Sequence, residues 1–450
     1  MSPVVILLIG VAVLIALIIV LRVNAFIALI TAAMLVSLLS PGDLAEKVSR
    51  VAGAFGSVVG AIGIVIALAA VIGRCLMDSG AADRIVRSFL KALGEKRAST
   101  ALMASGFVLS VPVFFDTVFY LLVPLARSLW KRTRKNYILY ATAIVAGAAI
   151  THTLVPPTPG PLFMANQFKI DLGTMIGIGI LIGLPAAALG LVVCKIINRF
   201  TDIPMRPYSG EPEPEPLDDS QLPPLWISLA PVILPVILIS ANTFTKALGA
   251  SESVTGVTAV LGNPNLALLI SAAIAMFVLV RRRKLSLKQL AQTVDKALMS
   301  GGIIILITAG GGAFGAMLRE AGVQESVKSL VDIEGQGLGL MVLVTAFAVA
   351  SVIKFAQGSG TVSMITTASM FGAMGISSDM LGCSPVYLAM AIGSGSLVGD
   401  WMNNSGFWIF AKMSVLTETE TLKSWTILTA MLGLFALAFT LMFAYILPMT

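Results

Sequence analysis

The apolar stretch from Ala101 to Trp130 constrains the fold of this chain more than any other segment. It is almost wholly hydrophobic, yet Asp116 lies at its centre, directly after two phenylalanines. A single helix of about 30 residues would measure roughly 45 Å, which exceeds a hydrocarbon core of about 30 Å, and the stretch is too short for two full spans. Basic residues flank both ends, which places both ends in the cytoplasm. The sequence therefore predicts a re-entrant hairpin at about residues 100–130 with its tip at Val113–Thr117.

The composition predicts an all-α polytopic membrane protein. Of the 450 residues, 57% are hydrophobic and only 12% are charged, about half the charged fraction of a typical soluble domain. The net charge of +7 is explained by basic cytoplasmic loops, so no nucleic-acid partner is predicted. Met1–Val20 has no basic n-region and no small-residue cleavage site, and is predicted as the first span. We expect a multi-pass protein of the cell (inner) membrane, with the lipid bilayer as its surroundings.

The sequence predicts neither a metal site nor a cofactor. His152 is the only histidine, and the three cysteines show no metal-ligand spacing. No GxxxxGK[ST] phosphate-binding loop is present, which argues against an ATP-driven pump.

Two halves flank one plainly soluble segment. Residues 1–200 form the first half, residues 201–224 a Pro- and acid-rich cytoplasmic linker, and residues 225–450 the second half. The second half contains another long apolar stretch, predicted as a hairpin at about 337–375. Its flanks are acidic, which predicts entry from the opposite face of the membrane.

The two halves correspond at an offset of 242 residues. Asp116 aligns with Gly358 at the two hairpin tips, and the break at Pro156 aligns within a residue with the break near Gly399. An odd number of crossings per half predicts an inverted repeat, with about ten spans, two re-entrant hairpins and two broken helices. Gly42–Arg50 is short and mixed in charge, and is predicted as interfacial. Inverted repeats with discontinuous helices are typical of secondary transporters, whose substrate sites lie at such breaks.

Four motifs resemble those of the gluconate permease family of proton symporters, which includes carriers of D-serine and other hydroxy acids. They are Val111–Asp116, Pro156–Pro161, Gly358–Thr361 and Asn403–Trp408, and their order and spacing match over nearly the whole chain. The resemblance implies a scaffold domain, a moving hairpin-bearing domain, an elevator motion and a homodimer. Family members often have histidine where this chain has Thr158, which leaves the substrate open.

The candidate site residues lie at the hairpin tips and helix breaks. An acid or a break at membrane depth indicates function, because its cost is otherwise unexplained. Candidates for proton coupling are Asp116, Asp400, His152 and Lys354. Candidates for substrate binding are Phe115, Asp116, Thr117, Thr153, Pro156, Pro157, Thr158, Gly358, Ser359, Gly360, Thr361, Asn403, Asn404 and Ser405.

Each candidate also has a structural alternative. Asp116 could cap the second arm of its hairpin, and His152 could be an ordinary core residue. The prolines could form a simple kink, and Gly358–Thr361 could serve helix packing. The polar residues at 400–405 could clamp helices together. Lys354 could attract an anion, or it could balance Asp116 or Asp400.

The sequence and the resemblance together predict proton-coupled symport of gluconate or a related small hydroxylated carboxylate, by elevator-type alternating access. A carrier of another organic or amino acid, such as D-serine, is the alternative. An intramembrane aspartyl protease using Asp116 and Asp400 is disfavoured, because Leu397–Asp400 lacks the first glycine of the Gly-x-Gly-Asp motif. No enzymatic activity is therefore expected.

Overall fold

The computed structural model describes residues 1–201, 203–207, 218–323, 338–402 and 404–449, and every regular element in these ranges is helical. This confirms the predicted fold class. The helices of the first half are α1 (Pro3–Ile15, extended by a π-helical turn, Ala16–Val20), α2 (Ala25–Leu39), α3 (Leu44–Asp78), α4 (Ala81–Leu93), α5 (Ala98–Leu109), α6 (Phe115–Thr133), α7 (Tyr137–Leu154), α8 (Pro159–Gln167) and α9 (Leu172–Thr201).

The second half follows the same order of long helices, hairpin and broken helix. Its helices are α10 (Leu225–Ala247), α11 (Glu252–Leu261), α12 (Pro264–Arg283), α13 (Leu287–Glu320), α14 (Leu338–Gln357), α15 (Gly360–Ala373), α16 (Ser378–Leu381), α17 (Pro385–Gly395), α18 (Ser405–Ser414), α19 (Glu418–Thr421, continued by a π-helical turn, Leu422–Thr426) and α20 (Ile427–Ile446).

Eight helices in the described ranges are long and apolar enough to cross a membrane, and four further apolar helices are shorter. The element bounds repeat at the offset found in the sequence. Adding 242 to the bounds of α3 gives 286–320, and α13 occupies Leu287–Glu320. The same shift places α6 over α15 and α7 over α17.

The first hairpin consists of α5 and α6, joined by the turn at residues 110–114. At 1.5 Å per residue the 12 residues of α5 measure roughly 18 Å, too short to cross the membrane. Arg132 forms an ion pair with Glu95, so the two ends of the hairpin meet at one face. The second hairpin consists of α14 and α15, and Gly339 at its start lies against the backbone of Leu381, just beyond its end.

The segment Gly42–Arg50, predicted as interfacial, contains the start of α3, which begins at Leu44 and runs unbroken for 35 residues. The charges in its first turns are satisfied by the end of α2: Lys47 donates to the carbonyl of Leu38 at 3.0 Å, and Arg50 donates to the carbonyl of Ser37 at 2.6 Å. Because the last carbonyls of a helix lack amide partners further along that helix, these cations stabilise the end of α2.

The predicted linker is described only at its two ends, since residues 208–217 lie outside the described ranges. Before the gap, Arg206 donates two hydrogen bonds to Glu420, at 2.7 and 2.6 Å. After it, Asp219 accepts from Arg87 at 2.6 Å, and this bond holds the pKa of the Asp219 carboxyl below its usual value. Both ends are thus fixed to helices on the same face as the base of the first hairpin.

Candidate functional site

The two hairpin tips and two broken helices enclose a cavity of about 610 Å³. The first tip contributes the start of α6, and the second contributes the turn between α14 and α15. The last turn of α7 and the break between α17 and α18 supply the remaining polar walls, and α13 and the turn after α19 complete the lining. The predicted residues at this cavity are Phe115, Asp116, Thr117, His152, Thr153, Lys354, Gly358, Ser359, Gly360, Thr361, Asp400, Asn404 and Ser405.

Three helices begin at the cavity wall. They are α6 at Phe115, α15 at Gly360 and α18 at Ser405. Ser359 caps α15 by accepting from the amide of Val362 at 3.3 Å. The first amides of a helix lack partners within the helix, and its dipole places positive potential at that end. Three such ends around one cavity create an environment that favours an anion.

A buried ion pair lies in the wall of the cavity. Lys354 Nζ is 3.0 Å from Asp400 Oδ2 and also donates to the carbonyl of Gly358 at 2.5 Å. Asn404 Nδ2 donates to both carboxylate oxygens of Asp400, at 2.7 and 2.8 Å. Lys354 is 1% exposed and Asp400 is 4% exposed. Because water cannot solvate them there, each charge is stabilised by the other. Among the alternatives for Lys354, the geometry therefore favours the one in which it balances Asp400.

Asp116 lies in the first turn of α6 and faces the cavity. The capping position of this helix is Phe114, whose side chain makes no capping bond. No hydrogen bond or ion pair joins the Asp116 carboxyl to the described residues. The capping alternative for Asp116 is therefore absent from this structure, and its carboxyl is free to meet a ligand.

The last turn of α7 presents His152 and Thr153 to the cavity. His152 Nδ1 is buried without a hydrogen-bond partner among the described residues, and its ring lies edge-on to Phe114 with centroids 6.1 Å apart. The Thr153 hydroxyl donates to the carbonyl of Ala149 at 3.1 Å. His152 thus lines the cavity and has one buried ring nitrogen without a partner among the described residues, whereas Thr153 already bonds its own helix.

The proline-rich break does not line the cavity. Pro156, Pro157 and Thr158 are buried in protein between α7 and α8. The Thr158 hydroxyl donates to the carbonyl of Val155 at 2.7 Å. Unwound backbone at membrane depth must either line a cavity or be packed in protein, and this break is packed. It ends α7 just after His152 and Thr153, so it positions these two residues.

Glycines allow the second tip to turn tightly. Gly358 has φ +90°, a left-handed conformation that favours glycine. A side chain on Gly360 would press against the carbonyl of Ser396, at 3.3 Å. Ser363 ties the two arms together by donating to the carbonyl of Ala350 at 2.6 Å. The helix-packing role of this motif is therefore present, and it brings the start of α15 to the cavity.

Sequence reasoning missed part of the lining. Ser300 and Ile304 reach the cavity from α13, and Gln357 and Ser396 border the second tip and break. Ser300 precedes a pair of glycines in an otherwise ordinary span, a pattern too common to single out. Asn403 lies outside the described residues. Within the described ranges no group of His, Cys, Asp and Glu could hold a metal ion.

The sequence of this chain matches a known family and several known proteins. A sequence model described as GntP family permease matches residues 2–446. A gluconate permease of Pseudomonas aeruginosa is 32% identical over 433 residues, covering 95% of this chain and 94% of that protein. The Gnt-II system L-idonate transporter of Escherichia coli is 30% identical over 437 residues, covering 97% of each.

A solved structure shares the fold. The YdaH transporter of Alcanivorax borkumensis, whose crystal structure was described as having an unusual topology, matches with a TM-score of 0.65. The match covers 94% of this chain and 98% of that one at 12% sequence identity.

Proposed function

The chain belongs to the GntP family of permeases, and from this premise we propose that it carries gluconate or a closely related hydroxylated carboxylate into the cell together with a proton. Membership of a permease family makes it a multi-pass transporter of the cell membrane rather than an enzyme, which excludes the intramembrane protease. Relatives named for gluconate and L-idonate support a sugar acid as the substrate.

The convergence of three helix starts on one cavity is the observation that carries the choice of an anion. The Lys354–Asp400 pair is neutral as a whole, so it does not oppose a negative ligand. The starts of α6, α15 and α18 bring the positive ends of three helix dipoles to the cavity, which favours a carboxylate there. Ser405 and Ser300 add polar groups that suit sugar-acid hydroxyls.

Asp116 is the proposed coupling residue. An ionised Asp116 would repel a carboxylate in the same cavity, with an interaction on the order of several kcal/mol at short range. Protonation of Asp116 removes this repulsion, so the anion and the proton enter together. Neither Lys354 nor Asp400 can take this role without leaving a buried unpaired charge. His152 is the second candidate, because it lines the cavity and has a buried ring nitrogen without a partner among the described residues.

Alternating access is proposed to follow from movement of the two hairpins and two broken helices against the long helices α3 and α13. Ser300 and Ile304 of α13 would then form the static wall that the moving unit slides past. The elevator motion and the homodimer rest on the family resemblance. Light scattering of the purified protein in detergent should give the mass of a dimer, and a monomer mass would remove this part of the proposal.

The proposed function can be tested in proteoliposomes. We expect an inward proton gradient to drive uptake of radiolabelled gluconate, and excess L-idonate to compete with it. An imposed sodium gradient at equal pH serves as the control for the coupling ion. Uptake of D-serine but not gluconate would instead support the amino-acid alternative, and uptake driven by sodium alone would contradict proton coupling.

A further inference from the structure

A small cavity of about 110 Å³ adjoins the site cavity, and it shares the residues Phe114, Thr117 and Ser300 with it. Its walls are the first hairpin tip on one side and α3 and α13 on the other. We call it the side cavity. Its lining contains two cations, Arg74 and Lys296, and no acidic residue.

The two cations of the side cavity differ in their pairing. Arg74 Nε is 2.8 Å from Asp78 Oδ2, one turn along α3, so its charge is largely balanced. Lys296 is exposed, and its ammonium has no hydrogen bond or ion pair within the described ranges. Asp295 precedes Lys296 in sequence but does not line the side cavity. Lys296 is therefore the unbalanced positive charge beside the site.

The side cavity lies between the site and one membrane face. Arg283 donates to the carbonyl of Asp78 at 2.6 Å, so the ends of α12 and α3 share a face. Lys296 is roughly 14 Å along α13 from its start near that face, and Ser300, one turn further, reaches the site cavity. The cluster Arg281–Lys284 assigns this face to the cytoplasm.

We propose that Lys296 is an anion-attracting station on the cytoplasmic path of the substrate, distinct from the central site. It is a specificity-determining residue that acts on the carboxylate as this enters or leaves the site past Thr117 and Ser300. An unpaired cation beside the cavity raises the local concentration of anions and accelerates their capture. This inference rests on the proposed carriage of a small carboxylate.

Transport kinetics measured separately at each face of the membrane test whether Lys296 attracts the substrate. In inside-out membrane vesicles the cytoplasmic face is presented to the medium, and we expect Lys296→Gln to raise the KM for gluconate at least about threefold at low salt. In right-side-out vesicles the KM should match that of the wild type. Raising KCl should increase the wild-type KM at the cytoplasmic face and leave the variant nearly unchanged, because salt screens the attraction.

Two control variants show whether an effect comes from the charge of Lys296 or from the substitution itself. Lys296→Arg keeps the charge and should restore the wild-type KM. Lys288→Gln removes an exposed lysine of the same helix that does not line the side cavity, and it should change nothing. Equal kinetics for Lys296→Gln and the wild type would overturn the proposal. So would an equal loss of transport from both faces.

A labelling measurement makes the test independent of the substrate. With Ser300→Cys in a background lacking Cys75, Cys194 and Cys383, an anionic thiosulfonate should react faster than a cationic one. Lys296→Gln should lower this ratio several-fold, and Lys296→Arg should not. If Lys296→Gln leaves the ratio of the two labelling rates unchanged, the proposal that Lys296 attracts anions is overturned. If wild-type vesicles carry no gluconate, the proposed function fails, and the labelling ratio still decides whether Lys296 attracts anions.

Discussion

Lys354 and Asp400 show what the sequence reveals about single residues and what it does not. Each stood out as an ionisable residue in an apolar segment, because charge at membrane depth is costly. Their pairing at 3.0 Å depends on how the second tip packs against the break after α17. That contact joins distant parts of the chain, so no local pattern could choose among the partners of Lys354.

Asp116→Asn should abolish pH-driven accumulation while leaving substrate binding or exchange in place. Asparagine keeps the shape of the side chain but cannot take up and release a proton. Accumulation against a gradient and exchange at equal concentrations should be measured in the same proteoliposomes. Thr361→Ala is the matched comparison, since it should weaken binding by about 1 kcal/mol or more for the lost hydrogen bond. Full proton-coupled accumulation by Asp116→Asn would move the role to His152.

Removing one partner of the buried ion pair should cost far more than removing both. Lys354→Met or Asp400→Asn alone should lower the free energy of unfolding by about 3–5 kcal/mol, because the remaining charge stays buried and unpaired. The double variant should recover a large part of this loss. Thermal unfolding of the purified single and double variants, all in the same detergent, measures these losses in stability. Simple additivity of the two single effects would show that the pair does not interact.

At the scale of elements, the lengths of the apolar segments, the breaks within them and the charges that flank them predicted the hairpins, the broken helices and the offset between the halves. They did not show that the polar segment before residue 51 belongs to the same helix as the apolar span that follows it. The reason is that Lys47 and Arg50 find carbonyl partners on α2, a tertiary contact that overrides local polarity. The wall contributed by α13 was missed for the same kind of reason, since only packing shows which face of a span meets the site.

Gly147→Ala should destabilise the packing of the first hairpin. A β-carbon on Gly147 of α7 would overlap the carbonyl oxygen of Met103 on α5, so the helices would have to separate. We expect a loss of about 1–3 kcal/mol in unfolding free energy. Gly177→Ala in α9 is the control, because nothing lies within 4 Å of the added carbon. Equal melting temperatures for the two variants would show that α5 and α7 tolerate a wider separation.

At the scale of the whole molecule, we expect the bases of the two hairpins to lie on opposite faces of the membrane. The flanks of the first are basic and those of the second are acidic. Single cysteines at the exposed positions Lys135 and Asp379, in a background lacking the native cysteines, report the sidedness. An impermeant thiol reagent added to intact cells should label only Asp379→Cys. Labelling of both positions from outside would contradict an inverted repeat.

The neutral ion pair in the cavity wall has a consequence for the energy source of transport. If Asp116 carries the coupled proton as proposed, the loaded unit holds a protonated Asp116 and one substrate anion beside the neutral Lys354–Asp400 pair, while the empty unit holds an ionised Asp116. Both forms then bear a single negative charge. A membrane potential acts on each charge by about 2.3 kcal/mol per 100 mV, but it opposes one crossing as much as it assists the other. The pH difference alone would therefore set the limit of accumulation, at about tenfold per pH unit, and collapsing the potential with valinomycin and potassium should leave that limit unchanged.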